Sequence, residues 1–252
     1  NLNMHTARLL MREPFFAALS RRIDKIASTA IPTAGVRVNP DSAQFEMLYN
    51  PEFFDQLEDS HKQGILMHEF YHLIFEHVTN RKPVDGIKRI DNIAMDLSIN
   101  CHISSMLPSE SNPGPVINDQ PMQACIPGEG MFKDLPPYKS YEWYLEALKK
   151  MGEDQDDGDG EGGGDPFGDM DSLDSHDEFG EVDGTTQEIA SERMKEAIKK
   201  AAEEAEKSRN WGSVSSSMRS DILERIQTKI DWRKVLRYFV KTSQRADKRS
   251  TP

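Results

Sequence analysis

Two cysteines, Cys101 and Cys125, are all that 252 residues contain. They stand far apart and form no C-x-x-C, so neither a disulfide scaffold nor a thiol redox pair is expected. No apolar run approaches the length of a membrane span. The first residues, Leu2 to Phe16, are broken by Arg8, Arg12, Glu13 and Pro14, so they are not expected to act as a secretory leader. There is no P-loop, no internal repeat and no evident Ser-His-Asp arrangement. These absences lead us to expect a cytoplasmic protein without a membrane partner. At 37% apolar and 29% charged residues, the composition is that of a chain able to build one large domain or two small ones.

Positive charge is missing from one stretch entirely. Gly152 to Gly184 holds fourteen Asp and Glu and no Lys or Arg, and setting those acids aside takes the formal net charge from −12 to +2. The stretch has too few apolar residues to order itself, so it reads as an acidic, flexible linker. It divides the chain into a core at 1–151, the linker at 152–184 and a helical region at 185–252 that packs back on the core. The basic end, with Arg233, Lys234, Arg237 and Lys241, lacks interleaved aromatics, so a nucleic-acid partner is not expected.

What the chain does have is His68-Glu69-Phe70-Tyr71-His72. This H-E-x-x-H lies in a run that reads as helical from about Ser60, its expected N-cap, to Thr79. Positions four apart share a helix face, so His68 and His72 aim two imidazoles at one point, with Glu69 beside them. Ile65, Leu66, Phe70, Leu73 and Ile74 make the run strongly apolar. A Glu and two His buried among them are costly unless a cation pairs with them. Two nitrogen ligands, an open coordination position and a carboxylate that is not a ligand are what a zinc hydrolase needs.

Zinc needs a third protein ligand. Asp96 is the best-placed candidate: Asn92, Asp96 and Asn100 form a polar row at i, i+4 and i+8 along an otherwise apolar helical segment, Asp91 to Asn100. His77 and His102 are the others. On a continuous helix His77 would point about 140° away from His72, so a capping or ligand-orienting role suits it better. Phe75 and Val78 stand where a metzincin would carry Gly and its third His, which excludes that class. Asn92 and Asn100 are expected to orient Asp96 or a histidine ligand. Two His and a carboxylate also suit iron or manganese.

Elsewhere the pattern predicts a helix over Leu2–Ile26, with Pro14 kinking it or opening a second helix. Short strands follow at Gly35–Asn39 and Gln44–Tyr49, joined by a turn at Pro40-Asp41. A Pro- and Gly-rich segment, Ser104–Tyr138, is positioned to cover the metal cleft. Helices are expected at Ser140–Met151, Thr185–Arg209, Met218–Ile230 and Trp232–Val240. Thr185–Arg209 should be exposed or packed along one narrow stripe. Tyr138 and Tyr141 suit core packing first and oxyanion stabilisation second.

Tyr49-Asn50-Pro51, the His68–His77 segment read as H-E-x-x-H-x-x-x-x-H, and Asn92-x-Ala94-x-Asp96-x-x-x-Asn100 resemble a metallopeptidase-like domain that precedes a von Willebrand factor A-like domain in bacterial and phage proteins. Asp231-Trp232-Arg233-x-x-Leu236 resembles the segment that ends that domain. The resemblance implies a zincin-like, mainly helical α+β fold with a small sheet packed on the H-E-x-x-H helix. It also implies a metal at His68, His72 and Asp96, and a substrate peptide paired with the Gln44–Tyr49 strand. A von Willebrand-like neighbour and an AAA+ ATPase partner are further implications. The expected activity is therefore zinc-dependent hydrolysis of peptide or protein substrates, with Glu69 taking a proton from water at the open zinc position. The alternative is a metal-stabilised scaffold that binds proteins without cleaving them.

Overall fold

A computed structural model describes residues 8, 11–83, 85–117, 120–156 and 182–227. Most of the acidic segment, the Trp232–Val240 helix and the basic end expected from sequence lie outside the described residues.

Proline and asparagine set the first elements. Pro14 opens α1 (Pro14–Ser20), where its fixed φ and missing N–H cost nothing. The chain does not continue as a helix to Ile26: Asp24–Ala27 is a strand, β1. Strands β2 (Ala34–Val38) and β3 (Phe45–Tyr49) follow as an antiparallel pair, with Val38 opposite Phe45 and Val36 opposite Met47. Their hairpin is held on the polar side by Glu46, which accepts from Arg37 at 2.8 Å and Asn39 at 2.6 Å. Asn50 ends β3 and caps α2 (Pro51–Gln56): its side chain accepts from Glu52 N–H and donates to the Ile31 carbonyl.

The sheet order is β1-β3-β2, with β1 parallel to β3. This corrects the expectation that the Gln44–Tyr49 strand is an open edge for a peptide. Both its ladders are already used, one by the β2 hairpin and one by β1, which periodicity had merged into the preceding helix.

Helix α3 (Asp59–Ile74) runs through the centre of the molecule. It starts one residue before the Ser60 expected as its cap. Every residue from Gln63 to Ile74 is buried, the pattern of a helix enclosed on all sides rather than lying on a surface. Burying each large apolar side chain there contributes roughly 1.5–3 kcal/mol relative to exposure. The fit is closest at Gly64, where an added Cβ would stand 2.1 Å from the Met106 carbonyl oxygen in the short 3-10 turn Ser104–Met106.

Helix α4 (Arg89–Asn100) packs on α3. Asp91 reaches back to the Lys88 N–H at 2.9 Å and also accepts from the Tyr141 hydroxyl at 2.9 Å. The long segment after α4 contains the two-residue pair β4 (Val116–Ile117) and β5 (Gln120–Pro121). It is tied to α3 by a 3.2 Å contact between Asn112 Nδ2 and His61 Nε2. Helix α5 (Tyr141–Asp156) starts where Ser140 caps the Trp143 N–H.

Helix α6 (Gly184–Ser208), capped by Asp183, buries Ile189, Ala190, Met194, Ile198, Ala201, Ala202 and Ala205. Its small-residue stripe lets it lie close against α1. Glu204 pairs there with Arg22 at 2.8 Å and with Arg21. Phe15 stacks on Trp211 with centroids 5.2 Å apart, and Glu13 accepts from the Ser213 N–H at 2.7 Å. Helix α7 (Ser216–Gln227) follows. The architecture is thus a mainly helical α+β fold in which a three-stranded sheet and several helices surround α3. No described helix is long and apolar enough to cross a membrane.

His102 is enclosed by Tyr71 and Phe75, with centroids 5.6 and 5.9 Å away, and burial pushes its pKa from 6.5 down to about 4. As pH falls below 6.5 the unfolded chain takes up this proton before the folded chain does, so stability is lost with acid. The loss by pH 4 should reach up to roughly 3 kcal/mol, and His102→Gln should flatten this limb in urea unfolding at pH 7 and 4.5. Gly64→Ala should lower the urea midpoint at neutral pH by about 1–3 kcal/mol of stability despite alanine's better helix propensity.

Candidate metal centre

Helix α3 supplies His68 and His72 one turn apart, and α4 supplies Asp96. All three are fully buried. His68 Nε2 and His72 Nε2 are 3.0 Å apart, and Asp96 Oδ1 lies 3.6 Å from the first and 3.5 Å from the second. Ligand atoms of a tetrahedral zinc, with bonds of about 2.0–2.1 Å, are separated by about 3.3 Å. The three edges of the observed triangle bracket that separation.

The outer hydrogen bonds decide which ring nitrogens face inward. Asn100 Nδ2 donates to the Cys125 carbonyl at 2.9 Å, which turns its Oδ1 toward His68 Nδ1 at 2.7 Å. His68 Nδ1 must therefore carry the proton, and its Nε2 presents a lone pair. His72 Nδ1 is 3.1 Å from His77 Nδ1. With its proton directed there, His72 Nε2 also presents a lone pair. Two lone pairs at 3.0 Å beside a carboxylate, with all three groups out of water, repel one another unless a cation sits among them. The donor set therefore fits a divalent metal.

A helix terminus brings His77 into this network. Helix α3 stops at Ile74, earlier than its apolar pattern suggests, and Glu76 takes the left-handed conformation at φ 61°. The His77 N–H bonds the His72 carbonyl at 3.0 Å and the Glu76 N–H bonds the Leu73 carbonyl at 3.2 Å. This is a Schellman end with glutamate at the position glycine usually takes. The reversal swings His77 back over His72. Tyr141 packs on the far side of His77, with centroids 5.8 Å apart, while its hydroxyl is engaged by Asp91. Tyr141 therefore braces a ring rather than facing the metal centre.

Glu69, between the two histidines in sequence, is fully buried. Asn92 sits one turn before Asp96, half-buried, and its Oδ1 has no hydrogen-bond partner. Asn100 is the member of the polar row that bonds a histidine of the cluster. His102 stacks on Tyr71 and stands outside the cluster. The Cys125 carbonyl had no signal in the sequence, because a backbone acceptor 25 residues from its donor carries no side-chain identity.

A family model described as a putative metallopeptidase domain matches residues 2–251. An uncharacterized protein of Thermotoga maritima is 24% identical over 213 residues, which cover 82% of this chain and 50% of that protein. The chain thus spans about half the length of the curated relative it matches. No solved structure matches the chain.

Asn100→Leu removes the acceptor that fixes the His68 tautomer. It should weaken zinc binding about 10- to 100-fold in a competition titration with a chromogenic chelator. His72→Ala should leave little metal in protein purified without added metal, as read by elemental analysis.

Proposed function

The chain belongs to the putative metallopeptidase domain family, and we propose that it is a zinc-dependent peptidase with a zincin-like core. The convergence of His68 Nε2, His72 Nε2 and Asp96 Oδ1, with Glu69 on the same helix turn, carries this reading. Three protein ligands leave zinc a fourth position, as catalytic sites do and most structural sites do not. A zinc ion bound there would polarise a peptide carbonyl and make water a competent nucleophile near neutral pH.

The chain's own residues perform the remaining tasks. Asn100 and His77 hold the His68 and His72 rings so that the Nε2 atoms face inward. Asp96 contributes negative charge that balances a cation. The Glu69 carboxylate accepts a proton from the attacking water and returns it to the departing amide nitrogen. A buried carboxylate suits both transfers, because its basicity is not dispersed by bulk water.

One observation favours a second reading. His68, Glu69, His72 and Asp96 are each completely shielded from solvent. A closed centre of this kind also suits a metal that stabilises the fold of a protein-binding module. The two readings separate on Glu69. For a peptidase, Glu69→Gln should retain about one zinc per chain yet lower peptide-library cleavage at least 100-fold. Absence of cleavage by the zinc-loaded parent, together with a large fall in melting temperature on chelation, would favour the scaffold.

A further inference from the structure

A cavity lies beyond Tyr141 and His77 from the candidate metal centre. It has a volume of about 320 Å³ and opens between the end of α3, the Tyr138–Tyr141 segment and one face of α7. Tyr141 forms part of its wall and also packs against His77, which in turn contacts His72. We propose that this cavity recognises a carboxylate on a peptide ligand, either an acidic side chain or a free C-terminus.

The lining charge carries the inference. Arg81, Lys139 and Arg225 line the cavity with one carboxylate, Asp221, and a second, Glu142, grips Arg81 from beside it, which leaves cations in excess by one. Arg81 is fixed by two bonds to Glu142, Nε to Oε1 at 3.0 Å and Nη2 to Oε2 at 2.8 Å. That grip uses two of its five donors and leaves the guanidinium held in place. Arg225 lies over the Phe75 ring at 5.7 Å and donates to the Ile74 carbonyl at 3.3 Å. Lys139 sits 5.8 Å above Trp143 and pairs with no carboxylate among the described residues. Guanidinium groups already held in position lose little freedom when they bind an anion, and they match a carboxylate in plane and spacing.

The rest of the lining fits the body that carries the charge. Phe75, Tyr141 and the neutral His102 give flat apolar walls, with His102 kept uncharged by burial. At the mouth, Tyr138 adopts φ 60° and is 66% exposed, its ring 5.2 Å from that of His102. The volume accommodates a side chain or a chain terminus.

The identity of the ligand as a peptide rests on the peptidase reading; the preference for a carboxylate does not. The test uses zinc-loaded Glu69→Gln protein and fluorescent peptides of one sequence in three forms: one glutamate with an amidated end, glutamine with a free carboxylate, and glutamine with an amidated end. Anisotropy titrations should give at least one carboxylate form about tenfold tighter binding than the neutral form, and which form gains identifies the source. Lys139→Gln and Arg225→Gln should each erase most of that preference while zinc content and circular dichroism stay unchanged, and Arg225→Lys should restore part of it. Equal binding of all three peptides, or a preference that survives both neutral substitutions, would overturn the proposal. Failure of the parent to cleave any peptide would instead count against the peptidase reading and leave the carboxylate preference measurable.

Discussion

Two imidazole nitrogens 3.0 Å apart, with a carboxylate oxygen 3.5–3.6 Å from each, lie fully buried in this molecule. In the absence of a cation this arrangement would be among the least favourable in the fold, because desolvated lone pairs and a buried charge gain nothing from water. The surrounding structure keeps the three groups in register. Helix α3 is enclosed on every side, so neither histidine can rotate out to solvent. Asn100 and His77 occupy the outer ring nitrogens, so neither ring can flip without losing a hydrogen bond. A cation converts the same crowding into attraction.

The peripheral elements serve this centre by fixing two helices. Gly64 lets the 3-10 turn after α4 press its backbone against α3, which sets how closely the two helices of the cluster approach. Asp91 joins the start of α4 to α5 through Tyr141, and Tyr141 in turn supports His77. Helix α6 closes the opposite side through its alanine stripe on α1. Acidification would act on this packing at His102, a neutral ring against Tyr71 and Phe75.

Part of the fold was legible because local rules and tertiary demands agree. The β2–β3 hairpin follows from alternation and the Pro40-Asp41 turn. The α4 helix follows from its 3.6-residue period, and α5 from the Ser140 cap. Two elements were not legible. β1 carries Ile26 at a spacing that also continues the helical pattern of α1, and only its parallel pairing with β3 makes it a strand. The end of α3 had no glycine to mark it, since Glu76 occupies the left-handed position. The extended helix read from the apolar pattern therefore carried His77 to the wrong side. Helix α6, with few large apolar residues, gave only a narrow stripe, and the structure buries that stripe fully because alanine permits close approach.

The sequence by itself determined that His68 and His72 share a face with Glu69 beside them, because a helix's geometry is local and four residues return nearly one turn. It also determined that Asn92, Asp96 and Asn100 form one row. Only the tertiary structure decided which member of that row meets which histidine. Asp96 faces both Nε2 atoms, and Asn100 fixes the His68 ring through a bond to the distant Cys125 carbonyl. Those outcomes depend on the axial offset and rotation of α4 against α3. Packing across the whole interface sets both quantities, including a backbone contact at Gly64 that no spacing of residue types encodes.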